Sequence, residues 1–543
     1  MNKVILFFKN TTVTANQVVF ASCCYIALIL NLPFLTKTSQ AIIEVENYNV
    51  FFLCSVPLFL LSLTVLFQAP LAIKWLTKPI LILTTMTSAL IFYGTVSYGI
   101  VFDYGMVQNS FETDTAEALS YLNLYAVLFF AIFGLLPAGI IYLVNITYKP
   151  FFQELLSRLK LLSLSFLCAT IIAALFYSHY ASVGRNNKDL IGYITPYKMV
   201  DATQKFIKNT YFYSPLKFKT LDATPTFNRV NKKKHVTVLI LGETARAQNF
   251  ALNGYDKPTN PYTKKLGVVS FSNMYSCGTA TAISVPCMFS RLNKSNYSRR
   301  LASAQQNALD IVQQAGADVV WISNNNGSCK GVCARIETTK IPTYSDHELC
   351  DGEYCYDEIL LEPLKAKLSQ LDNNNTFIVL HMIGSHGPTY YRRYPQSKQI
   401  FLPDCQRSDL QNCNHKEVVN TYNNTIAYTD FVIAKTIEEL KLITSESDIE
   451  ASLLYISDHG ESLGENGVYL HGLPYAFAPK EQIHVPMIYW SNNMASSFDP
   501  TCLTKVAKKK LTHDIVFDLI MNIAEVKTTT YNAKNDPLKT CRL

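Results

Sequence analysis

Charge is what this sequence has least of: 16% of its 543 residues are Asp, Glu, Lys or Arg, against roughly 25% in an ordinary soluble domain. The shortage is local. Residues 1–183 carry 8 Lys/Arg and 7 Asp/Glu, whereas residues 184–543 carry 40 and 34. A chain so poor in solvating side chains over its first third is not one water-soluble domain, and at 49% hydrophobic residues it is not disordered. Glycine is scarce too, with 21 residues and no three-residue period, which excludes a collagenous repeat. The second part shows no internal repeat and no low-complexity tract. The length suits a membrane domain plus one large soluble domain, because single cores rarely grow past about 250–300 residues. The net charge of +7 sits mostly in the second part. That suits work near an anionic membrane surface, and no nucleic-acid partner is expected.

What the first part does have is long apolar runs. A bilayer-spanning helix needs about 20 largely apolar residues, and five stretches qualify: 17–36, 49–70, 79–101, 121–147 and 159–182. Lys3 and Lys9 precede the first, Lys74 and Lys78 separate the second and third, and Lys149, Arg158 and Lys160 lie between the fourth and fifth. The other loops have Lys37 as their base, and the loop after the third run carries Asp103, Glu112, Asp114 and Glu117. The positive-inside rule then predicts a cytoplasmic N-terminus, with everything after residue 183 outside. Four further runs, and no A-x-A site after the first, argue against a cleaved signal peptide. Within QNSFETDTAEALSY, Asn109, Thr113 and Glu117 recur every four residues and share one face if the segment is helical. Two readings fit that face, a solvated helix surface or a polar cradle for a lipid headgroup.

Residues 184–235 are polar and irregular, with RNNKD and the run from Asn231 to Lys234, and read as a partly helical connector. From residue 236 the pattern is α/β. Apolar runs occur at HVTVLILGE, ADVVWISNN, NTFIVLHMIG, ASLLYISDHGE and HVPMIYW, with helical stretches such as NALDIVQQAGA and YTDFVIAKTIEELKLI between several of them. Continuous runs alternating with helices predict a largely parallel, doubly wound sheet. Ten cysteines fall in this part as Cys277/Cys287, Cys329/Cys333, Cys350/Cys355, Cys405/Cys413 and a distant Cys502/Cys541. An even number in a segment placed outside the cell suggests disulfides, with nearest-neighbour pairing as one connectivity. A structural zinc site from Cys329, Cys333, Cys350 and Cys355 is the competing reading. Cys23, Cys24, Cys54 and Cys168 lie in the apolar runs and read as small hydrophobes.

Ligands of open α/β sheets bind beyond the carboxyl ends of the strands. VTVLILGE ends at Glu243, LLYISDHGE ends at Asp458 and His459, and FIVLHMIGSHG reaches His386 just past its end. Parallel strands bring those ends to one edge, and a Glu, Asp and His set suits Zn²⁺, or less well Mn²⁺. His471 follows at loop distance and could join, whereas His381, inside its run, reads as a core histidine. In CGTATAISVPCMFS, Thr279 and Thr281 lie between Cys277 and Cys287. Both could be caps or turn formers; alternatively, a hydroxyl at a helix start beside a metal can attack phosphorus.

These motifs reach a family. Through GETARAQNFALNGYDKPTNP, CGTATAISVPCMFS, SHGPTYYRRYP, SDHGESLGENGVYLHGLPYAFAP and the paired cysteines, the chain resembles the lipid A phosphoethanolamine transferases, which include the mobile colistin-resistance enzymes, within the alkaline phosphatase and sulfatase superfamily. The likeness runs almost end to end. It implies a five-helix membrane domain (1–183), a connector (184–235) and a periplasmic sulfatase-like α/β domain (236–543) with a mostly parallel sheet, in a bacterial inner membrane. It implies one or two zinc ions, with Glu243, Thr281, Asp458 and His459 as ligands and Thr281 as nucleophile. His386 and His471 match residues that hold the substrate phosphate or a second zinc, and Lys330 matches a basic residue near the site. Asn109, Thr113 and Glu117 match residues implicated in lipid substrate binding.

The implied reaction moves phosphoethanolamine from phosphatidylethanolamine to a phosphate of lipid A through a phosphoethanolamine-threonine intermediate. Diacylglycerol leaves, the kinetics are ping-pong, and resistance to cationic peptides such as polymyxin follows. Because the likeness is weaker in the spans and in the acceptor-facing connector, an inner-core sugar or a protein stays open as acceptor. A membrane receptor or transporter with an inactive outer domain is the alternative from another class. Spans nearly free of charge argue against a transporter, and an intact metal set argues against an inactive domain.

Overall fold

The computed structural model describes the chain except residues 1, 45–47, 114, 215, 228–232, 326–328, 343–345 and 372–374. It divides into two compact units: Met1–Val107 with Leu122–Thr210, and Gln108–Tyr121 with Tyr211–Leu543. The stretch read as connector is thus shared between them, and a short segment from the loop after the third apolar run belongs to the second unit. Asn231 and Lys232 lie outside the described residues.

In the first unit four helices are long and apolar enough to cross a bilayer, Val50–Leu71, Thr77–Tyr98, Leu124–Leu143 and Phe151–Asn186. A fifth span exists if Ala15–Leu30 and Leu32–Ile43, bent by 56°, count as one. The straight run expected over 17–36 is therefore bent, and the cause is local. Asn31 at the junction is buried; its Nδ2 donates to the carbonyls of Ile26 and Thr195 at 2.9 and 2.8 Å, and its Oδ1 accepts from the Thr195 N–H. A π-helical turn over Ile26–Leu30 and a proline opening the next helix complete the break. The last helix also differs from the expected 159–182: it runs 36 residues and is non-helical at Phe176. Helices are what such apolar sequence forms, since every backbone polar group is satisfied within the segment.

The second unit is built on an eight-stranded sheet. In chain order the strands are β1 (Lys234–Gly242), β2 (Val269–Tyr275), β3 (Asp318–Ser323), β4 (Glu337–Lys340), β5 (Thr376–His381), β6 (Ile449–Ser457), β7 (His484–Ser491) and β8 (Leu511–Thr512). Their spatial order is β8-β2-β7-β6-β1-β5-β3-β4. The pairs β6-β1, β1-β5, β5-β3, β3-β4 and β8-β2 are parallel, and β7 runs antiparallel to both its neighbours. All six residues of β5 are buried, as are the last seven of β1 and of β6. Such unbroken burial requires cover on both faces. Leu239, Trp321, Val379 and Ile456 pack with helix α1 (Thr281–Met288) and helix α3 (Val516–Ile523) in one large apolar core. Helix α2 (His415–Glu446), started by a capping box of Asn414 and Glu417, packs on β6.

Five disulfides tie the loops of this unit: Cys277–Cys287, Cys329–Cys333, Cys350–Cys355, Cys405–Cys413 and Cys502–Cys541. This is the nearest-neighbour pairing, and it leaves no thiols for a four-cysteine zinc site. Cys23, Cys24, Cys54 and Cys168 are unpaired.

Candidate active site

The parallel strands β1, β5 and β6 end at one edge, and the chain's polar groups gather there. Glu243 follows β1. Next to it Thr244 adopts φ +60°, an uncommon conformation for a β-branched residue. Three bonds hold it there: its N–H donates to Asp458 Oδ1 (3.0 Å), its hydroxyl to Glu243 Oε1 (2.7 Å), and its carbonyl accepts from the Tyr422 hydroxyl (2.7 Å). Asp458 and His459 follow β6. Asp458 Oδ1 also accepts from the His459 N–H, while its Oδ2 is buried with no hydrogen-bond partner. His459 Nδ1 faces the Gly460 carbonyl at 3.0 Å, so Nδ1 carries the proton and Nε2 is left as the donor atom. That Nε2 lies 3.3 Å from Glu243 Oε1, from Asp458 Oδ2 and from Thr281 Oγ1.

Thr281 opens α1, and its hydroxyl lies 3.0 and 3.2 Å from the two Glu243 oxygens. The other threonine of the pair, Thr279, is spent elsewhere: its hydroxyl donates to the Leu473 carbonyl at 2.6 Å. His386 and His471 face each other with ring centroids 5.3 Å apart, and His471 lies 4.3 Å from the His459 ring. Glu243, Asp458 and His459 are all buried, with ligand atoms within 4.8 Å of one another. Two carboxylates, one imidazole nitrogen and one hydroxyl converge there, one carboxylate oxygen lacking a donor, and that set fits a divalent cation. Without a metal, the crowded charges raise the proton affinity of two of these groups. Burial, with the Glu243 charge, pushes Asp458 up to about 7. Burial opposes a charge on His459, but Asp458 and Glu243 outweigh it and raise its pKa to about 10.

Lys330 lies against Glu112: its ammonium is 3.7 Å from the Glu112 carboxylate and 3.4 Å from the Glu112 carbonyl, and Arg299 reaches the same carboxylate at 3.2 Å. Asn109 lies in the helix Tyr104–Glu112, which ends before Thr113. The Thr113 N–H and hydroxyl both donate to the Asn109 carbonyl, one turn back, at 2.8 Å. The side chain of Glu117, like residue 114, lies outside the described residues. His381 is fully buried on β5 against Trp321.

Three contributors escaped the sequence reading. Asn325 donates to Glu243 Oε2 at 3.0 Å; it follows β3, so the strand-end rule could have found it, but an amide was not sought among metal ligands. Glu461 accepts from the Tyr390 hydroxyl at 2.5 Å and lies 2.8 Å from His471 Nδ1, fixing that ring. His513 links the segment from Cys277 to Ser284 to β6 from about 230 residues away, a distance no local motif reveals.

Known proteins resemble the chain over nearly its whole length. The sulfatase family matches residues 235–526, and the phosphoethanolamine transferase EptA/EptB family matches residues 59–211. The chain is 39% identical over 528 residues to the phosphoethanolamine transferase EptA of Escherichia coli (strain K12), covering 95% of each. It is 34% identical over 516 residues to the phosphatidylethanolamine transferase Mcr-1 of Escherichia coli, covering 92% of this chain and 93% of that one. Its structure is similar to that of the integral membrane lipooligosaccharide phosphoethanolamine transferase A (EptA) of Neisseria meningitidis, with a TM-score of 0.93 and 35% identity, covering 98% of this chain and 99% of that one. A chain with these relatives, a sulfatase-type sheet and a hydroxyl set among buried carboxylates belongs to the EptA and Mcr family of phosphoethanolamine transferases.

Proposed function

We propose that this transferase takes phosphoethanolamine from phosphatidylethanolamine and delivers it to a phosphate of lipid A. The observation that carries the reading is the Thr281 hydroxyl, 3.0 Å from Glu243 and 3.3 Å from His459. Glu243, Asp458, His459 and the Thr281 hydroxyl would hold one zinc ion, and His386 with His471 would hold the substrate phosphate or a second zinc. When bound, zinc supplies Lewis acidity, favouring ionisation of a nearby hydroxyl and offsetting charge on phosphoryl oxygens. Thr281 Oγ attacks the phosphorus of the donor phosphodiester; the bond from phosphorus to the glycerol oxygen breaks, and diacylglycerol departs with a proton. The phosphoethanolamine-threonine so formed is attacked by an acceptor phosphate oxygen, and the hydroxyl of Thr281 is restored. Glu243 and Asn325 keep the nucleophile aimed through both halves, so the kinetics are ping-pong.

The same reading places the apolar helices in a bacterial inner membrane with the N-terminus cytoplasmic and the catalytic unit in the periplasm. The alternation of basic and acidic loops supports that orientation, and five disulfides suit an oxidising compartment. Asn109, Thr113, Glu117 and Lys330 belong to the lipid-binding side of the site. Each transfer adds an ammonium group to an anionic lipid, so the surface attracts cationic peptides such as polymyxin less. Mass spectrometry of lipid A from cells with and without the chain tests the proposal. A gain of one phosphoethanolamine unit on lipid A is expected; unmodified lipid A with label on a core sugar or a protein overturns the acceptor.

A further inference from the structure

The end of the sheet opposite the active site holds a second convergence of ligand atoms. His235 is the second residue of β1 and pairs in register with Glu450, the second residue of β6. Glu525 follows α3 in the turn before Val526–Lys527, with φ +56°. A ligand atom from each of the three lies within 4.8 Å of the other two. Strand geometry puts this group about 25 Å from Glu243, since β1 rises about 3.3 Å per residue between them.

Hydrogen-bond direction decides what His235 presents to the two carboxylates. The Thr237 hydroxyl donates to the Ile523 carbonyl at 3.1 Å, and a carbonyl can only accept. Thr237 Oγ1 is therefore the acceptor in its 3.3 Å contact with Ser452, whose hydroxyl proton is spent there. Ser452 in turn accepts from His235 Nε2 at 3.2 Å. The proton of a neutral His235 is thus on Nε2, and Nδ1 is a bare lone pair. That Nδ1 is buried, has no hydrogen-bond partner among the described residues, and lies 4.0 Å from Glu450 Oε2. Among the described residues no lysine or arginine lies within ion-pair distance of Glu450 or Glu525: Lys233 pairs with Asp448 and acts on Glu450 from farther off, as Arg542 does on Glu525. Three acceptors face one another with no donor between them, an arrangement that costs free energy unless a cation fills it.

We infer that His235 Nδ1, Glu450 and Glu525 form a second divalent-cation site, of the zinc class, at the amino-terminal edge of the sheet. One imidazole and two carboxylates are the ligand set, and the relay through Ser452, Thr237 and Ile523 fixes the ring as outer-sphere partners of zinc-binding histidines do. The ion would staple the starts of β1 and β6 to the turn after α3. It would be structural, since the neighbouring hydroxyls of Ser452 and Thr237 are engaged in the relay that holds His235.

The test uses the full chain purified in detergent and loaded with zinc alone. Anomalous scattering at the zinc edge from crystals of the unmodified chain should give a peak between His235 and the two glutamates, separate from any at Glu243 and His459. Metal analysis should show that Glu525→Gln, and separately His235→Gln, binds one zinc fewer per chain while keeping transferase activity. A Glu243→Gln/Asp458→Asn chain should still hold zinc, and adding Glu525→Gln should remove it. No peak at His235 in crystals that carry zinc at Glu243 overturns the inference, as does an undiminished zinc content in active Glu525→Gln and His235→Gln chains.

Discussion

The hydroxyl of Ser284 donates to the main-chain carbonyl of Asp458 across 2.5 Å, one helical turn after Thr281. His513 completes the tie. Its Nδ1 accepts from the Cys277 N–H at 3.2 Å and lies 3.2 Å from Ser284 Oγ, while its Nε2 donates to the Ser457 carbonyl at 3.1 Å. Burial holds this ring neutral, with its pKa pushed down to about 3, as the tautomer requires. The helix that Thr281 opens and the strand that Asp458 and His459 follow are thereby fastened together. Ser284→Ala should lower kcat by about 10- to 100-fold, as sub-ångström to ångström misplacement of a reacting group does, and leave the KM for donor lipid nearly unchanged. Steady-state kinetics on mixed micelles will show it; an unaltered kcat would mean the tie does not set the geometry.

Thr281→Ala should abolish the covalent phosphoethanolamine adduct and reduce transfer by about 10³-fold or more, the scale of removing a nucleophile. Thr281→Ser keeps a hydroxyl at the same position and should retain measurable transfer. Intact-protein mass spectrometry after donor alone distinguishes the two. An adduct on Thr281→Ala would move the nucleophile elsewhere.

Much of this site is visible in the sequence because buried strands end abruptly. Glu243 and Asp458 break unbroken apolar runs, so their placement at the sheet edge follows from strand length and polarity alone. What could not be read depends on partners remote in the chain. That β7 runs antiparallel is set by its pairing with Tyr275 and Ile456, not by its own apolar run. The bend in the first span rests on Asn31 reaching Thr195, 164 residues on. The helix that holds Asn109 stops at Glu112, and the Thr113 N–H and hydroxyl both satisfy one of its last carbonyls, a helix end that the four-residue spacing alone does not fix.

Metal binding at the catalytic cluster should be strongly pH-dependent. Without metal, His459 has its pKa raised from 6.5 to about 10, so at pH 7 it is protonated and must lose that proton to become a ligand. Zinc affinity should therefore rise about tenfold per pH unit between pH 6 and 8 for each proton displaced, and calorimetry in buffers of differing ionisation enthalpy should detect the release. Chelation with EDTA should abolish transfer, and added zinc should restore it. Transfer by a fully metal-free chain would remove zinc from the mechanism.

Stability should fall in mild acid. His381 is fully buried against Trp321, and burial lowers its pKa from 6.5 to about 4. Between those values the unfolded chain takes up a proton that the folded chain refuses, so the stability present above pH 6.5 is lost as pH drops toward 4. At pH 5 the loss is about 2 kcal/mol for this one group. His381→Asn removes the titrating group, and its thermal midpoint, though lower at pH 7, should fall less steeply from pH 7 to 5 than that of the parent. Equal slopes would show that His381 titrates normally.

The Glu112 carboxylate receives Arg299 at 3.2 Å, Lys330 at 3.7 Å and the Gln108 amide at 2.9 Å, although it lies in a segment otherwise read as a loop between membrane spans. Lys330 is only 8% exposed, so little water screens its ammonium from the carboxylate. Glu112→Gln preserves size and the amide contact but removes the charge that both cations face. A partly exposed pair of this kind is worth about 1 kcal/mol, which corresponds to roughly a fivefold rise in KM if the segment from Gln108 to Tyr121 must be held in place for the lipid donor to bind. Chemistry at Thr281 is untouched, so kcat should stay within about twofold. Lys330→Ala should cost at least as much, because it leaves the Glu112 carboxylate with Arg299 as its one cation among the described residues. A Glu112→Gln enzyme with unchanged KM would show that this ion pair anchors nothing the donor needs.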